Sequence, residues 1–307
     1  QHYVRPVKLT YHHTTKMKIA LTGNTGFIGK NLENFFSDKN YEIITLGRHK
    51  FNDIKFDILD EKNIKCSKKT KNIDVLIHSA SVSVNEFFRK KKITHNKIIK
   101  ILNYELKSLE KIITFIKINK IKKIIFISSA SVYGMNSKKK PFKTNEIANP
   151  SNLYGALKLA MEVMGSKLFN NFISLRLFQV YGLNDLKFRL VPSIINSQKI
   201  KLKNCCQITD MIFYKDLNNL VNKLILSKKI HKGVFNAGNG HPIYLRNVVK
   251  KIIALKKKKT YVTFDKKLPK ISNFSYADKN EILINLNWKP KYDINRGLKE
   301  LIDEYKV

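Results

Sequence analysis

The sequence predicts an α/β fold, a doubly wound parallel sheet with a smaller C-terminal α/β lobe. Three observations carry that prediction. From Met17 onward, short apolar runs alternate with segments of helical length. Those runs are apolar throughout, as strands buried on both faces of a sheet must be. After Tyr181 the alternation loosens, and a second, less regular lobe is expected there.

The first strand is "MKIALT" (17–22), followed by the helical "FIGKNLENFF" (27–36) and a second strand, "YEIITLG" (41–47). "IDVLIHSA" (73–80) reads as the third strand, and "KKIIFISSA" (122–130) as the fourth, after a helix over about 96–119. A helix begins near Asn152 and runs on through "MEVMGSKL", and "NFISLRLF" (171–178) supplies the fifth strand. Beyond it, "LVPSIINSQ" and "LRNVVKKIIAL" read as helices between irregular pieces. The first 16 residues lack periodicity and are expected to form an unstructured extension. The main domain is expected over 17–180, and the lobe over 181–307 with some chain returning to the main sheet.

Composition narrows the partners. A formal net charge of +36 invites a nucleic-acid reading, since cations that neutralise phosphates drive non-specific binding. Yet only seven of the 59 basic residues are arginine, and the lysines are scattered over every segment. Specific nucleic-acid binding is therefore not expected. Cys66, Cys205 and Cys206 have neither metal-ligand spacing nor the evenness of a disulfide framework, which points to a reducing compartment and no metal site. No apolar run approaches the roughly 18 residues of a membrane span, and no signal peptide is seen, so a cytoplasmic location is expected.

The first strand runs into "TGNTGFIG", with Gly23, Gly26 and Gly29 three residues apart and a helix following. Glycines let the backbone turn tightly and approach a ligand, while the helix start offers free N–H groups to a phosphate. Strand before and helix after make this a Rossmann-type dinucleotide turn, with Gly23, Asn24, Thr25, Gly26, Phe27, Ile28 and Gly29 as candidate cofactor contacts. Enzymes that use NAD place a carboxylate at the end of the second strand for the ribose 2′-hydroxyl. Here "TLGRHK" has Arg48, His49 and Lys50 instead, a cluster suited to a 2′-phosphate, so NADP(H) is favoured over NAD(H).

"PSNLYGALKLAMEV" puts Tyr154 and Lys158 at i and i+4, on one helix face. A phenol near pH 7 needs about 4 kcal/mol of help to act as a base, and a neighbouring ammonium can supply some of it. "ISSASVYG" ends the fourth strand 25 residues earlier, where a serine could hydrogen-bond the same substrate oxygen.

Taken in order, the glycine turn, "SSASVYG" and "YGALK" resemble the extended short-chain dehydrogenase/reductase superfamily, specifically its NAD(P)-dependent nucleotide-sugar epimerase/dehydratase family. The resemblance covers about residues 17–305 and is strongest up to Gly182. It implies a catalytic trio: Ser129 orients the substrate oxygen, Tyr154 is the acid/base, and Lys158 lowers the tyrosine pKa and holds the nicotinamide ribose. It also implies adenine contacts at Asp57 and Ile58 in "FDILD", backbone contacts at Ala80 in "DVLIHSAS", and an active-site asparagine at Asn103 in "LNYELKSLE". His78, inside the third-strand motif, is expected to be packed and hydrogen-bonded. The C-terminal lobe becomes the substrate-binding lobe, and a homodimer built on a helix pair is implied.

Departures from the family pattern sit in the substrate half. Thr209 stands before Asp210 where the family has an arginine for the substrate diphosphate, and a second family arginine is at best Lys270. Gln179 replaces the usual asparagine, and Arg189, Lys201 or Lys203 could supply the missing charge. The family's 4,6-dehydratases carry Asp-Glu after the catalytic hydroxyl residue, where this chain has Ala130 and Ser131, so dehydration is not expected. Gln179, Arg189, Thr209 and Ser129 are the candidate substrate contacts. The expected activity is an NADPH-dependent 4-keto-sugar reductase acting on a nucleotide sugar or related anion. The alternatives are an NAD-dependent epimerase of the same fold and a non-catalytic dinucleotide-binding protein with a basic partner-binding surface.

Overall fold

A computed structural model describes residues 16–55, 72–81, 94–136, 139–202, 207–229, 232–256, 260–264, 274–278 and 286–305. Asp57, Ile58, Lys203 and Lys270 lie outside the described residues. The main layer is a seven-stranded parallel sheet of β1 (Lys18–Thr22), β2 (Glu42–Gly47), β3 (Ile54–Lys55), β4 (Val75–His78), β5 (Lys123–Ser129), β6 (Phe172–Leu177) and β10 (Gly233–Ala237). Their spatial order is β10-β6-β5-β4-β1-β2-β3. The chain steps from β1 to one side, then crosses to β4 on the other, so the order reverses between β1 and β4, where Thr22 pairs with His78. A crevice at the carboxyl end of such a switch point is where open α/β sheets bind ligands.

Apolar strand sequences become two cores, one on each face. Along β1, Ile19 and Leu21 point into one cluster and Ala20 into the other; along β5, Ile125 and Ile127 oppose Ile124 and Phe126. This period of two is why successive positions in the middle of these strands are all apolar. The first face is covered by α1 (Phe27–Ser37), through Phe27, Leu32 and Phe36, and by α5 (Tyr214–Leu226). The second is covered by α2 (His95–Asn119), through Leu109, Ile112, Phe115 and Ile116, and by Met161 of α3 (Leu153–Leu168).

The remaining elements are β7 (Gln179–Tyr181), α4 (Leu190–Asn196), β8 (Lys199–Leu202), β9 (Ile208–Phe213), β11 (Pro242–Tyr244), α6 (Leu245–Leu255), β12 (Tyr261–Phe264), β13 (Phe274–Ser275) and α7 (Ile294–Glu304). β9 pairs with β7, β11 and β13, and β8 pairs with β12. Asp210, fully buried on β9, draws these pieces together by accepting from the backbone N–H of Asn239 (2.6 Å), Gly240 (2.9 Å) and Ala277 (3.1 Å). Its burial has a structural reason, and its neighbour Thr209 is left to face the crevice.

Candidate active site

Two tight packings shape the crevice. Gly23 has φ of +75°, and a Cβ added at Gly29 would lie 2.1 Å from the Gly23 carbonyl oxygen, so the turn folds onto its own helix as only glycine permits. A Cβ at Gly26, by contrast, would meet only that same oxygen at 3.4 Å, leaving its open face toward the crevice. At the other end, Gly155 lets α3 approach the 3-10 turn Ala130–Tyr133, since a Cβ there would lie 2.3 Å from Ser131 O. Asn152 caps α3 by accepting from Gly155 N at 2.9 Å, and Tyr154 is thereby set beside the end of β5.

The result is one cleft of about 1590 Å³ lined from the glycine turn to β9. Gly23, Asn24, Thr25, Gly26, Phe27 and Ile28 line one end together with Arg48 and Ala80. Ser129, Tyr154 and Lys158 line the middle, and Gln179, Arg189 and Thr209 the far side. Gly29 closes the turn from behind and does not line the cleft. Ala80 is fixed through its N–H, which donates to Thr22 Oγ1 at 3.1 Å. His78 is packed as expected: its Nδ1 lies 2.8 Å from Thr22 Oγ1, its ring stacks on Phe126, and burial with the Lys158 charge pushes its pKa down to about 3.

Asn103 is exposed and outside the cleft lining. Asn96, Lys97, Lys100, Ile101, Tyr104 and Ser108 are the residues of α2 that line the cleft. Asn103 is on the solvent side of the helix, as the exposed Ile99 and Leu106 are. The i, i+3, i+4 spacing of polar Lys97, Lys100, Tyr104 and Ser108 is the signal that would have found the lining residues. His49, from the basic cluster after β2, also lines the cleft, as do Asn52, Gln207 and Ser275, which were not singled out by motif.

The three catalytic candidates are arranged around the end of β5. Ser129 Oγ accepts from Ser131 N and donates to Ser131 Oγ, both at 3.1 Å, and it also hydrogen-bonds the Tyr154 phenol. Ser128, one residue earlier, points the other way, donating to Glu162 beneath the sheet edge. Glu162 is gripped by Arg176 through Nε (3.1 Å to each oxygen) and Nη2 (2.7 Å), a buried bidentate pair. Arg176 also lies over the Tyr133 ring, whose hydroxyl donates to Asn236 Oδ1 at 2.7 Å. This network fixes the strand end from behind.

Burial raises the Tyr154 pKa, opposed by the Ser129 hydrogen bond and the charge of Arg189, and reinforced by Glu105. Lys158 stands one turn further along α3. Its Nζ sits 5.8 Å from the Tyr154 ring centroid, donates to Ile127 O at 2.9 Å, and lies 4.8 Å over Phe126. Burial pushes the ammonium down to about 8, against the pull of Glu105 and Glu162.

A dinucleotide fits this donor set: a glycine turn open at Gly26, basic side chains beside β2, and a hydroxyl–phenol–ammonium group further along one cleft. A profile of the NAD dependent epimerase/dehydratase family matches residues 19–238. The chain is 26% identical over 318 residues to an uncharacterised protein of Methanocaldococcus jannaschii, covering 92% of this chain and 94% of the other. It is 26% identical over 321 residues to the dTDP-4-dehydro-6-deoxyglucose reductase of Escherichia coli, covering 94% and 97%. Among solved structures, MoeE5 in complex with UDP-glucuronic acid and NAD superposes with a TM-score of 0.80 at 18% identity, over 94% of this chain and 99% of the other. RMD from Pseudomonas aeruginosa complexed with NADPH gives 0.77 at 18%, over 95% and 100%. The seven-stranded parallel sheet with its flanking helices is the fold these structures share, and the chain belongs to the NAD-dependent epimerase/dehydratase family.

Proposed function

We propose that the chain is an NAD(P)-dependent oxidoreductase that modifies nucleotide sugars, and that it works as an NADPH-dependent 4-keto-sugar reductase. The observation that carries this is the shared cleft: Ser129, hydrogen-bonded to Tyr154, and Lys158 line the same space as the glycine turn. When bound, the dinucleotide supplies hydride to the keto carbon. Tyr154 then donates its phenolic proton to the carbonyl oxygen, which Ser129 holds by a hydrogen bond. A phenol kept protonated by burial is suited to that direction. Ala130 and Ser131 offer a methyl and a hydroxyl where water loss would need an acid and a base.

Arg48 and His49, both lining the cleft beyond β2, with no carboxylate among the described residues that line it, support NADP(H) as the cofactor. The named activity of the Escherichia coli relative supports the reductase. A second reading, an NAD-dependent nucleotide-sugar epimerase, is supported by MoeE5, solved with NAD and UDP-glucuronic acid. On the substrate side Arg189 is assigned to the diphosphate. It is held by Asp185 at 3.5 Å and lines the same cleft as Gln179 and Thr209. The assembly is assigned as a homodimer through α2 and α3, whose outward faces expose Ile99, Leu106 and Val163. No described helix is long and apolar enough to cross a membrane.

The test is a screen of UDP-, dTDP-, GDP- and CDP-sugars, native and 4-keto, read by NADPH absorbance and product mass. Consumption of NADPH with a 4-keto sugar supports the reductase. Conversion of a native sugar with bound NAD and no added reductant replaces it by the epimerase. No turnover of any of them, with retained dinucleotide binding, overturns both.

A further inference from the structure

Residues 48–51, which carry the basic cluster after β2, are exposed, yet Asn52 directly after them is buried. Its side chain shows why. Asn52 Nδ2 donates to Asn24 Oδ1 in the glycine turn at 2.9 Å, and Asn24 Nδ2 donates in turn to Glu33 Oε1 of α1 at 3.2 Å. An ionised carboxylate can only accept, so Glu33 fixes which end of the Asn24 amide faces it. Asn24 then fixes which end of Asn52 faces the turn. Lys30 Nζ holds the other oxygen of that carboxylate at 3.0 Å. The far end of the Asn52 amide has no hydrogen-bond partner among the described residues: Oδ1 is buried against Gly47, where a Cβ would lie 2.5 Å from it. Keeping an amide inside with one end unsatisfied is costly, and what it gains is the bond at the other end.

The basic loop is also closed on itself. Asn52 N donates to His49 O at 3.0 Å, and the His49 ring stacks on Phe51 with centroids 5.1 Å apart. At the loop's base Asp53 turns its carboxylate back onto β2, accepting from Thr45 N at 3.0 Å and Thr45 Oγ1 at 2.9 Å. These contacts make the loop a unit, and the Asn52 amide ties that unit to the glycine turn. Asn24, Arg48, His49 and Asn52 all line the cleft. We propose that Asn52 is a positioning residue for cofactor selection, a role that rests on the NADP(H) assignment above. Its amide sets the loop of Arg48 and His49 at the distance from the glycine turn at which one dinucleotide meets both, pyrophosphate on the turn and 2′-phosphate on the loop. A ligand held at both places depends on the spacing between them; NADH, with no phosphate for the loop, depends on it far less.

Dissociation constants of NADPH and NADH are measured by fluorescence titration for wild type, Asn52→Ala, Arg48→Ala and the double variant. Asn52→Ala is expected to weaken NADPH by about fivefold and NADH by less than about twofold, whereas a loss of structure alone weakens both alike. Adding Asn52→Ala to Arg48→Ala should weaken NADPH little further, because the group being positioned is gone. Asn52→Ser, too short to reach Asn24, repeats the comparison if the alanine variant does not fold. Equal losses for the two cofactors, or losses that multiply in the double variant, overturn the inference, and the cofactor assignment still stands if Arg48→Ala weakens NADPH selectively. An Arg48→Ala protein with the wild-type ratio of NADPH to NADH affinity overturns the assignment itself, and this inference with it.

Discussion

Lys158→Met is expected to make the protein more stable while abolishing turnover. The ammonium is 4% exposed, and burial pushes it from the ordinary 10.5 to about 8. Each unit is worth about 1.4 kcal/mol, so keeping this charge folded at neutral pH costs about 3 kcal/mol. The folded value lies below the unfolded one, so the unfolded chain takes up the proton first as pH falls. Stability is therefore lost from pH 10.5 down to about 8, and the deficit is constant below that. Methionine has a similar shape and no charge, but it gives up the hydrogen bond to Ile127 O, worth about 1 kcal/mol. The net gain at pH 7 is then about 2 kcal/mol, or roughly 4 °C in Tm. At about pH 9.5 the charge penalty shrinks to about 1 kcal/mol, which cancels the gain. Thermal or urea unfolding of both proteins at the two pH values measures this. A variant less stable at pH 7, or a difference that does not change with pH, would show that the lysine is not held against its preference.

Tyr154→Phe should leave dinucleotide affinity unchanged and cut turnover by roughly 100- to 10,000-fold, measured by fluorescence titration and NADPH consumption. Arg48→Ala should weaken NADP(H) by about tenfold or more and NAD(H) far less; equal losses for both would refute the 2′-phosphate assignment. Gly29→Ala, whose Cβ would fall 2.1 Å from Gly23 O, should disrupt the turn and lower both stability and dinucleotide affinity, the second by titration at a temperature where the variant is folded. Arg176→Met strands the Glu162 carboxylate and is expected to cost about 3–5 kcal/mol in urea unfolding, with Glu162→Leu added in the same chain recovering part of it.

The order of strands and helices, the glycine turn and the Tyr154–Lys158 pair were legible because each is a short-range property of the chain. Full apolarity along a strand reports two buried faces, and i, i+4 spacing reports one helix side, wherever the element ends up. The assembly of the trio was legible because a parallel sheet delivers the end of each strand to one edge. What the tertiary structure decided is direction and company. Asn103 and Tyr104 are adjacent in sequence, and only the seating of α2 on the sheet turned one outward and the other to the cleft. Ser128 and Ser129 look equivalent in "ISSAS", yet the pleat sends one hydroxyl to Glu162 and the other to Tyr154. The charge state of Lys158 could not be read from its spacing, because it depends on a desolvated pocket built by β5, α2 and α3 together. Burial and long-range charge are sums over chain segments far apart in sequence, and no local pattern contains them.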